Sequence, residues 1–149
     1  MNMHTDELAK RCIRTLYGRD SVARALDIQL LEYGPGHAVL SMLVRQDMCN
    51  GHGICHGGML FTLADTAMAY ASNSHDQVAV ASSVHIDYLR RVSCGEHIRA
   101  RAEEVYRGRS KGSYSVQIDN AAQAQVAHFH GTVAILSARV LDQATGDST

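Results

Sequence analysis

Neither charge is in excess in this chain: over 149 residues the formal net charge is -1. A bulk electrostatic hold on nucleic acid or on an anionic membrane surface is therefore not expected. No apolar run has membrane-spanning character, because the most hydrophobic stretch, from His56 to Asn73, is broken by Asp65 and by small polar residues. The segment Met1-Asn2-Met3-His4-Thr5-Asp6-Glu7 lacks the basic and apolar regions of an export signal, so the expected location is cytoplasmic. There is no G-x-x-x-x-G-K-[ST] and no strand-linked G-x-G-x-x-G, which disfavours phosphoryl transfer and nicotinamide chemistry. No serine sits in a G-x-S-x-G elbow, which disfavours a Ser-His-Asp hydrolase. Internal repeats and low-complexity segments are also missing.

Cysteine is sparse. Cys12, Cys49, Cys55 and Cys94 are too few, in too long a chain without an export signal, for a disulfide scaffold. Cys49, His52, Cys55 and His56 form a local cluster, but neither C-x2-C nor a second such pair is present, so no metal site is expected. His56 reads more simply as a helix cap and the cysteines as small hydrophobes.

What is present is organised around His56 to Asn73. After Gly57-Gly58 this stretch is rich in Ala, Leu and Met and contains no proline, which predicts a helix. Its apolar residues cover every face of the helical wheel, which predicts a helix buried all round. Asp65 is the one acid inside it. A carboxylate is rarely buried without a partner or a purpose. The plain alternative is an interior Asp bonded to Thr62 or Thr66. Gly57 and Gly58 stand where N–H groups of the first turn have no helical acceptor, a place that suits negative charge.

Around that helix the periodicities predict a short amphipathic helix over 6–17 and strands over 26–33, 37–45, 78–90, 98–106, 113–120 and 125–136. The helix over 6–17 packs on the sheet or acts as a lid. Gly34-Pro35-Gly36, Cys94-Gly95-Glu96 and 108–112 supply turns, and 48–55 is a glycine-rich loop. Short connections favour an antiparallel sheet, and one sheet face must cover the apolar helix. The fold class is α+β: a curved antiparallel sheet wrapped around one long helix. The length favours a single domain with its core at about 22–138 and a polar tail over 142–149.

Gly57 and Asp65 are eight residues apart, about 12 Å along a helix. A reacting carbonyl needs its oxyanion donor and its nucleophile or base at roughly 3 Å. One chain cannot supply both, so the site is expected to be shared. Two antiparallel copies of the helix across a two-fold axis bring Gly57 of one near Asp65 of the other, twice over.

The runs Asn50-Gly51-His52-Gly53-Ile54-Cys55-His56-Gly57-Gly58 and Ala64-Asp65-Thr66-Ala67-Met68-Ala69-Tyr70-Ala71-Ser72-Asn73-Ser74 carry a resemblance, with Val80-Ala81-Ser82 and Ile86-Asp87-Tyr88-Leu89-Arg90 as further matches. Over roughly 25–137 the chain resembles the hotdog-fold acyl-CoA thioesterases of the phenylacetate-degradation branch. The resemblance implies hydrolysis of an aryl-acyl-CoA, phenylacetyl-CoA or a ring-hydroxylated relative, to the free acid and CoA. No metal or redox cofactor is implied. The partners implied are the substrate and further copies of the chain, a dimer with shared sites and a dimer of such dimers.

The resemblance also implies roles. Asp65 is nucleophile or general base, and the sequence does not choose. Gly57 is the oxyanion donor, Asn50 orients the thioester or the lytic water, and His56 fixes the loop. Gly58, Thr66, Ser82 and Ser83 lie on the substrate side; adjacent strand residues face opposite ways, so only one serine points at the site, and the match favours Ser82. Arg90, with Arg91, and the cluster Arg107, Arg109 and Lys111 suit the phosphates of CoA. Arg91 stands where the family usually has proline. Two rivals remain: a hotdog dehydratase or hydratase, which wants a catalytic His paired with an acid, and a non-catalytic acyl-CoA-binding module, which needs no buried acid.

Overall fold

The structure, a computed structural model, describes residues 3–143; most of the tail expected over 142–149 lies outside them. The first helix is longer than the apolar spacing suggested: α1 spans Met3–Arg19, with Asp6 in its first turn and Arg19 in its last, charges that complement the helix dipole. It packs on the body of the protein, burying Ile13 in the main core. A second helix, α2 (Ser21–Ala25), follows. The Asp20 carboxylate accepts the Ala23 N–H at 2.9 Å as its N-cap. Leu26, expected to open a strand, instead donates its N–H to Val22 O at 2.9 Å and closes α2.

Six strands form one antiparallel sheet: β1 (Gln29–Gly34), β2 (His37–Leu43), β3 (Ala79–Tyr88), β4 (His97–Arg107), β5 (Lys111–Asn120) and β6 (Gln125–Ile135), in the order β1-β2-β4-β5-β6-β3. Helix α3 (Gly57–Ser72) lies on one face. Inward residues of three adjacent strands meet it: Ile98, Ala100 and Ala102 of β4, Val116 and Ile118 of β5, Phe129 and Val133 of β6, all buried. This is the hotdog arrangement.

The turn at Cys94-Gly95-Glu96 leads from β3 to β4 without making them neighbours: β3 forms the far edge against β6, from Ala79 opposite Ile135 to Tyr88 opposite Ala127, while β4 lies between β2 and β5. The connecting segment is held elsewhere. Leu89 N–H bonds Val126 O at 2.9 Å, Cys55 N–H bonds Val92 O at 2.8 Å and Gly95 N–H bonds Val44 O at 2.7 Å. Residues 89–95 therefore cross beside the loop that precedes α3.

One expectation is corrected, and it concerns the helix. Leu60, Leu63, Ala64, Ala67, Met68 and Ala71 are buried, but Gly58 is exposed and Phe61, Thr62, Asp65 and Ala69 are half-buried. Their spacing of three and four places them on one face of α3, so an apolar wheel has not produced a helix enclosed on every side. Along the same edge β3 has no second strand neighbour among the described residues, and Val80 and Tyr88 are about half exposed, at 48% and 51%. No helix of the described residues is long and apolar enough to cross a membrane.

Candidate active site

The loop before α3 is folded by Asn50. Its backbone N–H donates to Ile54 O at 2.8 Å, and its Oδ1 accepts N–H groups from His52 at 2.9 Å and Ile54 at 3.4 Å. Gly53 completes the turn at φ +76, in the left-handed region that a side chain disfavours. With Oδ1 engaged, the Asn50 side chain has its Nδ2 donors left for other partners.

His56 is the N-cap of α3. Its Nδ1 accepts the Gly58 N–H at 2.9 Å, which fixes the neutral tautomer with its proton on Nε2. The Met59 N–H goes to His56 O at 2.9 Å. Gly57 alone of these first-turn residues keeps an N–H with no intramolecular acceptor among the described residues, at the positive end of the helix. Replacing His56 by alanine is expected to cost about 1 kcal/mol of stability through the lost cap. Urea unfolding measures this, and an unchanged midpoint would show that the cap does not matter.

Gly57 lies in the wall of a cavity of about 360 Å³. Asn50, Ile54 and Cys55 of the loop, Leu60 of α3, Tyr88 at the end of β3, and Leu89 to Val92 of the crossing segment complete that wall. Tyr88 had no role in the sequence reading beyond membership of a matched run. Its hydroxyl donates to Gly57 O at 2.9 Å. Its ring lies so close that a Cβ at position 57 would stand 3.0 Å from Cζ. Gly57 does not take a positive φ, so its missing side chain serves the ring of Tyr88 rather than an unusual backbone. Gly58 likewise leaves room for the His56 ring, 3.1 Å from where its Cβ would be.

Asp65 lies two turns further along α3, on the half-open face. The hydroxyls that were to satisfy it are engaged otherwise: Thr62 donates to Gly58 O at 2.8 Å and Thr66 to Thr62 O at 2.7 Å. Among the described residues its carboxylate has no hydrogen-bond or ion-pair partner. Burial raises its pKa above the ordinary carboxylate value of 3.8.

Within this chain the cavity thus brings together Asn50, Gly57, Arg90 and Arg91, and not the rest. Thr66 is buried on α3. Ser82 sits at a bulge in β3 and donates to Thr132 O at 3.0 Å, while Ser83 pairs with Thr132 in the ladder; both are exposed. Arg109 and Lys111 lie at the opposite end, where Lys111 pairs with Ala134 and Ala134 with Val80, against Tyr88 with Ala127 at the cavity. Arg107 is engaged at the other terminus of α3, donating to Ser72 O at 3.2 Å and to Gln77 Oε1 at 3.1 Å. The Cys49, His52, Cys55, His56 cluster does not converge: among the described residues no three of the His, Cys, Asp and Glu side chains are placed to hold a metal ion.

Residues 52–127 match the Thioesterase superfamily. The chain is 45% identical over 116 residues to the Escherichia coli K12 protein named acyl-coenzyme A thioesterase PaaI, across 78% of this chain and 83% of that one. The structure of the E. coli PaaI protein from the phenylacetic acid degradation operon superposes with a TM-score of 0.88 at 40% identity, covering 90% of this chain and 97% of that one. A variant of the phenylacetic acid degradation protein PaaI of Thermus thermophilus gives 0.76 at 41% identity, covering 78% and 100%. A Streptococcus mutans protein solved with acetyl CoA gives 0.73 at 26% identity, covering 75% and 90%.

Proposed function

The chain belongs to the thioesterase superfamily and is an acyl-CoA thioesterase of the PaaI kind, and we propose that it hydrolyses phenylacetyl-CoA and ring-hydroxylated phenylacetyl-CoA in phenylacetate breakdown. The observation that carries the mechanism is the Gly57 N–H without an intramolecular acceptor, in a cavity walled by Tyr88. A thioester carbonyl accepting that N–H gains most as its oxygen becomes negative in the tetrahedral transition state. Ile54, Leu60, Tyr88 and Val92 give the cavity an apolar lining suited to an aryl-acyl group. The Asn50 amide orients the thioester or the water.

The carboxylate comes from a second copy. If the partner's Asp65 stands level with Gly57, antiparallel helices place the partner's Ser72 about 10 Å beyond that level, at 1.5 Å per residue. Arg107 ties the basic turn of Arg109 and Lys111 to that end of the helix. The two-fold axis therefore carries the partner's Arg109 and the partner's Lys111 outward of the cavity, where the CoA phosphates trail from a thioester bound at Gly57, alongside Arg90. The half-open face of α3 and the unpaired edge of β3 are the surfaces such a dimer covers. Asp65 then either attacks the carbonyl carbon, forming a mixed anhydride and releasing CoA thiolate, or takes a proton from the attacking water. Neither route calls for a metal ion or a redox cofactor.

A panel of aryl and fatty acyl-CoAs, followed by loss of the thioester chromophore, tests the reading. The expected result is hydrolysis with kcat/KM highest for phenylacetyl-CoA and its ring-hydroxylated relatives. Preference for a fatty acyl chain would overturn the substrate assignment, and double-bond absorbance without acid release would indicate a dehydratase. In the same panel Arg90→Ala and Arg109→Ala are expected to raise KM several-fold with little change in kcat, as lost phosphate contacts do. Unchanged KM removes the phosphate role.

A further inference from the structure

Gly57 and Gly58 are consecutive, and glycine leaves the backbone freer than any other residue does. An oxyanion donor at the start of α3 therefore needs an anchor. Gly58 has one, since its N–H is held by His56 Nδ1 at 2.9 Å. The anchor of Gly57 comes from outside the helix: the Tyr88 hydroxyl donates to Gly57 O at 2.9 Å. A carbonyl has two lone pairs, so this bond stands beside the helical one. The ring also fills the space of the missing side chain, for a Cβ at position 57 would lie 3.0 Å from Cζ and 3.2 Å from the hydroxyl oxygen.

Tyr88 is itself held to the sheet. It pairs with Ala127 of β6. The N–H groups of Leu89 and Arg90, next along the chain, both go to Val126 O, at 2.9 and 3.2 Å. Val84 and Ile86 of the same strand pack against the core. The hydroxyl thus ties the first residue of α3 to a strand whose place is set by the sheet and not by the glycines.

We infer that Tyr88 is a positioning residue for the hydrolysis: its hydroxyl fixes the backbone of Gly57 so that the N–H meets the thioester oxygen as charge develops there. This rests on the reading of the Gly57 N–H as the oxyanion donor. Tyr88 acts through Gly57 and not on the carbonyl of the substrate. Its one O–H is already given to Gly57 O, which leaves no proton for an oxyanion. Burial raises its pKa above the ordinary 10.0, so it is no base at neutral pH. An acyl group seated in the cavity that Tyr88 lines covers this bond and keeps water from it, and electrostatic contacts strengthen where water is excluded.

The test compares wild type with Tyr88→Phe, which removes one oxygen and keeps the ring, on the acyl-CoA of the panel that wild type hydrolyses fastest. The kcat of Tyr88→Phe is expected to fall ~10-fold, since a displacement of about 1 Å in a reacting site can cost roughly 100-fold. Its KM is expected to stay within about two-fold, because the lost bond acts in the transition state. The second readout is the infrared carbonyl stretch of the matching ketone analogue, with a methylene between carbonyl and sulfur, which cannot be hydrolysed. A donor aimed at the oxygen lowers that frequency on binding, and only folded, binding-competent chains contribute to the bound band. Tyr88→Phe is expected to move the band part of the way back to its free position, and Gly57→Pro all the way. A kcat within about two-fold of wild type, or a loss carried by KM with an unmoved band, would overturn the inference. If Gly57→Pro moves the band and Tyr88→Phe does not, Tyr88 loses its role while Gly57 keeps its own. If neither moves it, the oxyanion reading of Gly57 fails, and the role of Tyr88 with it.

Discussion

Asp65→Asn is expected to lower turnover at least ~100-fold, the scale of a lost acid–base or nucleophilic group, while fold and assembly persist. Asparagine has the same shape, and among the described residues no hydrogen bond or ion pair depends on the Asp65 carboxylate. The same variant should also hold or raise its Tm. Burial raises the Asp65 pKa, so folding favours the protonated acid. That contribution is fully present below the ordinary value of 3.8 and is lost as pH rises through the folded pKa. At neutral pH the wild-type carboxylate opposes folding, and the neutral amide removes that opposition. The acid limb of the wild-type rate profile should lie above the ordinary carboxylate range, since the proposed role of Asp65 requires its ionised form. Near-normal hydrolysis by Asp65→Asn, measured beside its thermal midpoint, would remove this residue from the mechanism.

Gly57→Pro deletes the proposed oxyanion donor itself and is expected to lower kcat by roughly 100-fold or more. The helix should tolerate it. Position 57 is the first residue of α3, where proline is favoured because its N–H has no helical acceptor. His56 already sits at φ -60, ψ 133, the region that a residue before proline prefers. The added carbon crowds the Tyr88 ring, so Gly57→Ala is the matched control: it adds the same Cβ, keeps the N–H, and should lose much less. Equal losses would assign the effect to crowding rather than to the donor. Mixing the two defects tests the sharing of sites. A dimer of one Asp65→Asn chain and one Gly57→Pro chain holds one doubly damaged site and one intact site. Random pairing of two inactive variants should therefore recover about a quarter of wild-type turnover. No recovery from verified heterodimers would mean that each chain uses its own pair.

The central helix was legible because glycines at its start, an alanine-rich run and a single interior acid are all local signals. Its half-open face was not, because a wheel of apolar residues does not say which neighbours arrive. Leu26 was misplaced for a related reason. Its strand-like context is overridden by Asp20, whose cap commits the next turn to helix. The edge position of β3 was hidden behind a turn signal at Cys94-Gly95-Glu96 that is real but joins strands with other partners. Grouping Arg90 with Arg109 and Lys111 rested on charge alone, and only the strand register reveals that they occupy opposite ends of β6 and β3 within the chain. Tyr88 was part of a matched run, yet its contact with Gly57 spans 31 residues of chain, which no local pattern reports.

The place of β3 has a consequence for biosynthesis. Residues 79–88 find their sheet neighbour in residues 125–135, so during vectorial synthesis this strand leaves the ribosome long before the segment that seats it. Tyr88 and the peptide after it can close over Gly57 only once residues 125–135 have been made. A nascent chain stalled before residue 125 would carry α1, α2 and α3 and still have no finished pocket.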